Sequence, residues 1–225
     1  MPPKKNEPPP PAAAEPEETE EKFGVWEGEK DKNQLPHGKG KATYPNGDTF
    51  EGTIEHNQRE KEGVYTWKHV EGAKCVAVYK GSYESNLKHG NGTMTYPDGG
   101  VYEGSWDHGL RQGQGTFKYP NGDSYVGSWS QGKKSGQGIY FSFAGSCWYS
   151  GVWKDGNFQE GEWLFKDRSK YIGAFRDGKP APGEGVFVFP NGNRLKGQWI
   201  EEHVEGSEDP PKLYWVGGEL EVQST

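Results

Sequence analysis

The sequence predicts an all-β fold, an elongated single-layer antiparallel β-meander made of repeated hairpins. A segment of the form Tyr-x-Gly-x-Trp recurs along the chain; a Gly-x-Gly segment follows it in five units, and Pro-Asn-Gly-Asp or a close variant follows in four. Self-similarity at a period of roughly 20 to 50 residues is typical of a repeat architecture. Within each segment, aromatic or glycine residues alternate with polar ones, which is the pattern of a half-buried strand.

The residue that opens each Tyr-x-Gly-x-Trp segment marks the start of a unit. These residues are Trp26, Phe50, Tyr79, Tyr102, Tyr125, Tyr149, Tyr171 and Leu195. They define about seven units and a partial eighth, an array that we assign to residues 23–200. Residues 1–22 are rich in Pro, Ala and Glu and are expected to be a disordered tail, because they cannot bury enough apolar surface to offset the cost of ordering. Residues 201–225 are expected to be an acidic segment in which residues 213–216 add a capping strand.

Alternation places the aromatic residues and the glycines on one face of each strand. Tyr102, Gly104 and Trp106 share a face, whereas Glu103 and Ser105 lie on the other. We interpret the glycines as gaps that receive aromatic rings, whose burial offsets a glycine penalty of roughly 0.5–1 kcal/mol. The candidate functional residues are those of this face: Tyr79, Gly81, Tyr83, Tyr102, Gly104, Trp106, Gly113, Gly115, Phe117, Tyr119, Tyr125, Gly127, Trp129, Gly136, Gly138, Tyr149, Gly151, Trp153, Tyr171, Gly173 and Phe175.

The Asn-Gly pairs predict where hairpins turn. Asn121-Gly122 lies between two alternating segments and is expected to supply the positive φ angles of a tight turn. Equivalent pairs recur at Asn46, Asp98 and Asn191. The second unit departs from this pattern, because extra residues within the range 68–78 are expected to push its hairpin tip beyond the row of turns. This longer loop is either a contact site or tolerated extra length.

Composition and motifs argue against several classes of function. The formal net charge of −7 argues against a nucleic-acid partner, which usually needs a basic stripe. The two cysteines are expected to be free thiols, and the absence of an apolar membrane-length run or signal segment predicts an intracellular protein. The six histidines have no metal-ligand spacing, and no nucleophile–base arrangement can be argued. We therefore expect no enzyme activity, cofactor, metal or small-molecule substrate.

The recurring Tyr-x-Gly-x-Trp and Gly-x-Gly segments resemble the MORN repeat family (membrane occupation and recognition nexus) from about Trp26 to Trp199. The resemblance implies a meander of MORN-type hairpin repeats that serves as a binding or scaffolding surface. The segment from Gly38 to Gly52, the number of units and the Pro-rich loop before Gly183 resemble the MORN subunits of the axonemal radial spoke head. The small size and the scarcity of sequence beyond the repeats resemble the smaller of those subunits.

The resemblance implies a non-enzymatic structural subunit of the radial spoke head, located in the cytoplasm, in the cytoskeleton of the ciliary or flagellar axoneme. Its expected partners are other protein subunits, chiefly radial spoke head proteins. One alternative is a tether to membranes or acidic phospholipids, against which the acidic charge argues. Two further alternatives are another cytoskeletal scaffold and an accessory module of an enzyme. The accessory module is disfavoured because the array leaves little sequence for a catalytic domain.

Overall fold

The computed structural model describes residues 24–202 and 211–223. All regular secondary structure in these two ranges is β-strand, and sixteen strands form an open antiparallel sheet in which strand order follows chain order. The predicted all-β meander is therefore confirmed. The predicted disordered tail, at residues 1–22, and the acidic residues 203–210 lie outside the described residues.

The chain divides between Lys133 and Lys134 into two compact units, each made of several repeats, which we call the first unit and the second unit. The first unit contains β1 Val25–Lys30, β2 Pro36–Thr43, β3 Thr49–Glu55, β4 Gln58–Thr66, β5 Val78–Glu84, β6 Leu87–Thr95, β7 Val101–Asp107, β8 Leu110–Lys118 and β9 Ser124–Ser130. The second contains β10 Lys133–Ser142, β11 Cys147–Lys154, β12 Asn157–Leu164, β13 Lys170–Arg176, β14 Lys179–Val188, β15 Arg194–Glu202 and β16 Lys212–Glu221. Strand β16 includes the proposed capping residues 213–216 and extends beyond them.

A line of paired glycines crosses each unit, with one glycine near the middle of every strand. In the first unit the line runs from Gly28 to Gly127, and each glycine lies opposite a glycine of the adjacent strand. In the second unit it runs from Gly138 to Gly217. Because these residues have no side chain, the aromatic face has a groove at its centre where rings can lie flat on the backbone.

One set of hairpin turns has positive φ at two consecutive residues, as type I′ turns require. His108-Gly109 is an example, with φ of 46° and 81°. The same two-residue turns occur at His56-Asn57, Ser85-Asn86, Gln131-Gly132, Asp155-Gly156 and Asp177-Gly178. The right-handed twist of the strands favours this turn type, and Asn, Asp and Gly tolerate it best.

The Asn-Gly turns differ from the prediction, because only the glycine has a positive φ. Gly122 has φ of 89°, whereas the φ of Asn121 is not positive. The reason is Pro120, whose ring fixes φ near −65° and so selects an ordinary type I turn before the glycine. The Asn121 side-chain oxygen then accepts the amide hydrogen of Asp123 at 3.0 Å, and Tyr119 N donates to Asp123 O at 2.9 Å.

The long connection between β4 and β5, in the second repeat, folds back onto neighbouring turns. Its residues 67–77 leave the strands, with Trp67 N donating to Ala77 O at 3.1 Å. Lys74 N donates to Pro97 O at 2.9 Å, and Lys68 N donates to Asp48 Oδ1 at 2.7 Å. The extra residues thus connect the turn before them to the turn after them.

Candidate functional site: an aromatic face over paired glycines

Tyr102 shows how the aromatic face is built. Its side chain is fully buried and its ring lies over Gly104 of its own strand and Gly115 of the next. A Cβ atom added to Gly104 would lie 2.7 Å from Tyr102 Oη, and one added to Gly115 would lie 2.6 Å from Tyr102 Cε2. The hydroxyl donates to Ser105 O at 2.9 Å, which satisfies it without a partner outside the strand. Glycine is therefore required at both positions beneath the ring.

Much the same arrangement recurs at three other tyrosines that open a repeat. Tyr79 and Tyr125 are also fully buried, and their hydroxyls donate to Ser82 O at 3.1 Å and Ser128 O at 3.0 Å. Tyr171 is the equivalent residue of the second unit, where a Cβ atom added to Gly185 would lie 2.5 Å from its ring. At Tyr79, Tyr102 and Tyr125 the hydroxyl thus donates to a carbonyl three residues along its own strand, whereas the Tyr171 hydroxyl does not make this bond.

Tryptophan side chains fill the spaces between the tyrosine rings. Trp106 contacts Tyr79 and Tyr102 with ring centroids 5.3 and 5.2 Å apart, both edge to face. Trp129 makes the same two contacts with Tyr102 and Tyr125. In both residues the indole N–H donates to a glycine carbonyl: Trp106 Nε1 to Gly92 O and Trp129 Nε1 to Gly115 O, each at 3.2 Å. Edge-to-face geometry is the favoured one for aromatic pairs, so the rings form a continuous row in the first unit.

The remaining aromatic candidates belong to the same face. Buried there are Tyr83, Phe117, Tyr149, Trp153 and Phe175. Tyr119 is half-buried and stacks on Phe117 with centroids 4.4 Å apart. The candidate glycines on the glycine line are Gly81, Gly104, Gly115, Gly127, Gly138, Gly151 and Gly173.

Gly113 and Gly136 have a different role from the one expected. Both lie off the glycine line and have positive φ, 74° and 63°. At Gly113 the register between β7 and β8 shifts, and an added Cβ would face the Ser105 side chain rather than a ring. Gly113 therefore forms a β-bulge, which re-aims the strand, instead of receiving a ring, and the positive φ of Gly136 fits the same conformation. Lys61 holds the corresponding position in β4 with φ of 61°.

A row of cations on the aromatic face was missed from the sequence. Each of these cations lies two residues after a two-residue turn and places its charge over aromatic rings; they are Arg59, Lys88, Arg111 and Lys134. Each lies five residues after the closing residue of a Tyr-x-Gly-x-Trp segment or its equivalent, and this spacing is the signal that could have revealed them. At the equivalent position in β12 the residue is Phe158, which is buried.

The geometry at Arg111 and Lys134 is that of cation–π contacts. Arg111 Cζ lies 4.6 Å from the Trp129 centroid, and its Nη2 donates to Gly132 O at 2.7 Å. Lys134 Nζ lies 4.3 Å from the Trp153 ring and 4.7 Å from the Tyr140 ring, and Lys134 is only 8% exposed. Such contacts contribute about 2 kcal/mol or more when they are desolvated. Both charges stabilise the sheet; Lys134 is buried, whereas Arg111 is half-buried.

Burial also suppresses acid–base chemistry on this face. Burial raises the pKa of Tyr102 to about 12, and the nearby Arg111 only partly opposes this. Burial likewise raises the pKa of Tyr119 to about 12. Burial, together with donation to Asp48 Oδ2 at 2.7 Å, raises the pKa of Tyr65. These hydroxyls stay protonated near neutral pH and act as hydrogen-bond donors.

Five segments match the MORN repeat family, at residues 32–49, 79–101, 102–124, 125–147 and 171–194. The chain carries MORN repeats. The matches omit residues 50–78, which contain the long connection, and residues 148–170, which contain Gln159 in place of a glycine. MORN repeats are non-catalytic and serve as scaffolds or membrane-binding surfaces, and this broad class is what the repeats support for the chain.

A solved structure with a similar fold is the SAS-4 (dCPAP) TCP domain of Drosophila melanogaster, in complex with a proline-rich motif of Ana2 (dSTIL). The two chains are 13% identical, with a TM-score of 0.45, over 76% of this chain and 88% of that one. Among curated protein sequences no match to this chain is found. None of the residues in the ranges 24–202 and 211–223 belongs to a helix long and apolar enough to cross a membrane.

Proposed function

We propose that the MORN array is a non-catalytic structural subunit of the radial spoke head of cilia and flagella, where it contributes to axonemal assembly and to the regulation of motility. Within this proposal it resides in the axonemal cytoskeleton and binds other radial spoke head proteins. The MORN repeats support the scaffold role. The resemblance of the segment from Gly38 to Gly52, and of the loop before Gly183, to spoke-head MORN subunits supports the specific assembly.

The observation that carries the choice of a protein scaffold over a lipid tether is the burial of Lys134. Attraction to an anionic membrane requires clustered Lys or Arg side chains at the surface, each contributing about 1 kcal/mol. Lys133-Lys134 is the adjacent basic pair that would suit this role best. Lys134 is only 8% exposed, because its charge lies over the Trp153 and Tyr140 rings, so only Lys133 can meet a headgroup.

The polar face of the sheet is the surface that a partner subunit would meet. The aromatic face is filled by its own rings and cations, as the full burial of Tyr79 and Tyr102 shows. Across the sheet from them, a shallow groove of the first unit is lined by exposed polar residues of both charges, among them Lys80, Glu103 and Gln114. A surface of mixed charge suits a protein partner of complementary charge, which determines specificity and the rate of association.

The test compares retention on axonemes with flotation on lipid vesicles. The protein is expected to remain with detergent-stripped axonemes and to be released by high salt, because the contacts involve exposed charges. It is expected not to float with anionic vesicles at physiological salt. Strong flotation with nothing retained on axonemes would overturn the proposal in favour of the membrane tether.

A matched pair of variants tests which face is used. Lys80→Glu combined with Glu103→Lys keeps the net charge but inverts the local pattern, and retention on axonemes should fall. Lys166→Glu combined with Asp167→Lys makes the same kind of exchange in the second unit and should leave retention unchanged. Equal retention in both variants would show that the groove around Glu103 does not meet the partner.

A further inference from the structure

Two adjacent hairpins of the first unit bring a histidine pair and two carboxylates together on the polar face. Glu84 ends β5, His89 lies in β6, Asp107 ends β7, and His108 begins the turn that follows. One ligand atom from each of His89, Asp107 and His108 lies within 4.8 Å of the others. The sequence spacing did not reveal this cluster, because strand register places His89 beside residues far along the chain.

We propose that His89, Asp107 and His108 form a binding site for a divalent transition-metal ion of the Zn²⁺ type. Imidazole nitrogen and carboxylate oxygen are the ligands that such ions take, with bonds of about 2.0–2.2 Å. Ligands bonded at that length to a tetrahedral ion lie about 3.3 Å apart. The observed separations from Asp107 Oδ1 are 2.7 Å to His108 Nδ1 and 3.5 Å to His89 Nδ1. Small side-chain rotations would therefore close the site around an ion.

Glu84 supplies the support that metal-bound histidines usually have. When His89 Nδ1 faces Asp107, its other nitrogen, Nε2, faces Glu84 Oε2 at 3.4 Å. A carboxylate that accepts the second N–H of a ligating histidine fixes its tautomer and raises its basicity. Glu84 thus acts as a positioning residue, and it leaves the Nδ1 lone pair of His89 directed toward the metal position.

The backbone holds these side chains in place. His108 occupies the first position of its turn with φ of 46°, and Gly109 N donates to Lys88 O at 2.9 Å, which joins the two hairpins. The Lys88 side chain points to the opposite face, over the Trp106 and Tyr79 rings, so its charge does not enter the cluster. His89 and His108 also pack edge to face with centroids 5.8 Å apart. The cluster is open to solvent, which leaves room for a water molecule as the fourth ligand.

Zinc titration of the full-length, tag-free protein tests the site. Isothermal calorimetry with ZnCl₂ should show one saturable site, whereas CaCl₂ should show none, because calcium takes oxygen ligands. His108→Asn removes a ligand while keeping a residue that tolerates positive φ, and it should lower the zinc affinity at least about tenfold. Glu84→Gln should lower the affinity by about ten- to a hundredfold, since it keeps the shape but weakens the support for His89.

His56→Asn is the matched control, because His56 also opens a two-residue turn with positive φ, 51°, but lies outside the cluster. It should leave zinc affinity unchanged, and circular dichroism should show that all the variants retain the β-sheet fold. The site is refuted if the wild-type protein shows no saturable zinc binding. It is equally refuted if His89→Gln combined with His108→Asn, still folded, binds zinc as tightly as the wild type or if His56→Asn loses as much affinity as His108→Asn.

Discussion

At Gly104 an added side chain would meet both the backbone of the next strand and an aromatic ring. A Cβ atom there would lie 2.5 Å from Gly115 Cα and 2.7 Å from Tyr102 Oη. Because the first of these neighbours is backbone, the strand itself would have to shift. Valine adds two further methyl groups to that clash.

We therefore expect Gly104→Val to lower the free energy of unfolding by about 1–3 kcal/mol, the usual cost of overpacking. Glu103→Val is the control, since Glu103 is exposed on the opposite face and valine is favourable in a strand. Chemical denaturation of both variants measures the difference. Equal losses of stability would mean that the rings do not lie over the glycines.

Lys134 and Lys133 form a natural pair for measuring the cation–π contribution. They are adjacent, yet Lys134 is buried over the Trp153 ring and Lys133 is exposed. Lys134→Met retains most of the volume and removes the charge, so it should cost about 0.5–2 kcal/mol. Lys133→Met should be close to neutral. If thermal unfolding shows the two variants to be equally stable, the buried charge contributes packing alone.

At the scale of elements, the bulge residues determine where the second strand of a hairpin bends. Gly113 and Gly136 meet the positive φ of the bulge without a steric penalty, but β4 has Lys61 there with φ of 61°. A non-glycine residue in the left-handed region costs roughly 1 kcal/mol. Lys61 also forms an ion pair with Glu55, but pairs between exposed groups contribute little.

Lys61→Gly removes this strain but makes the unfolded chain more flexible, which costs about 0.4–1 kcal/mol, so the stability is expected to be unchanged or slightly raised, whereas Gly113→Ala should lower it. Glu55→Gln, which removes the ion pair and leaves the bulge intact, separates the two effects and should be near neutral. Melting temperatures of the three variants provide the measurement. A destabilised Lys61→Gly variant would show that the ion pair outweighs the backbone strain.

The strands were predictable because their period is short and is repeated in every unit. Tyr102, Gly104 and Trp106 alternate strictly, and that alternation alone placed them on one face. The turn type was wrong because the Asn121-Gly122 signal was read without the effect of Pro120 on the preceding φ. The opposite turns, such as His108-Gly109, carry weaker signals, and only the strand register identifies them.

Side-chain contacts between neighbouring hairpins could not be predicted from the sequence. The contact of Arg111 was not predicted, because nothing local shows that the Trp129 ring of the next hairpin covers it. The His89–Asp107–His108 cluster has the same origin, since it depends on the register of two hairpins. The periodic spacing of Arg59, Lys88, Arg111 and Lys134 was nevertheless visible, and it distinguishes buried cations from solvated ones in such arrays.

At the scale of the molecule, we expect the free energy of unfolding to depend mainly on contacts between neighbouring strands. Contacts between strands are mainly those of consecutive strands, and the rings extend them slightly farther, as when Trp106 of β7 meets Tyr79 of β5. Repeat proteins built this way have a stability close to a sum of unit and nearest-neighbour terms. We infer that the rings over paired glycines carry this local coupling along the first unit.

Native-state hydrogen exchange on a variant that lacks residues 24–43, and therefore β1 and β2, tests this coupling. We expect faster amide exchange in β3 and β4, which lose their neighbours, and unchanged protection in β7 and β8 around Tyr102. A loss of protection at β7 and β8 as large as that at β3 would contradict it, because the unit would then unfold as one cooperative body.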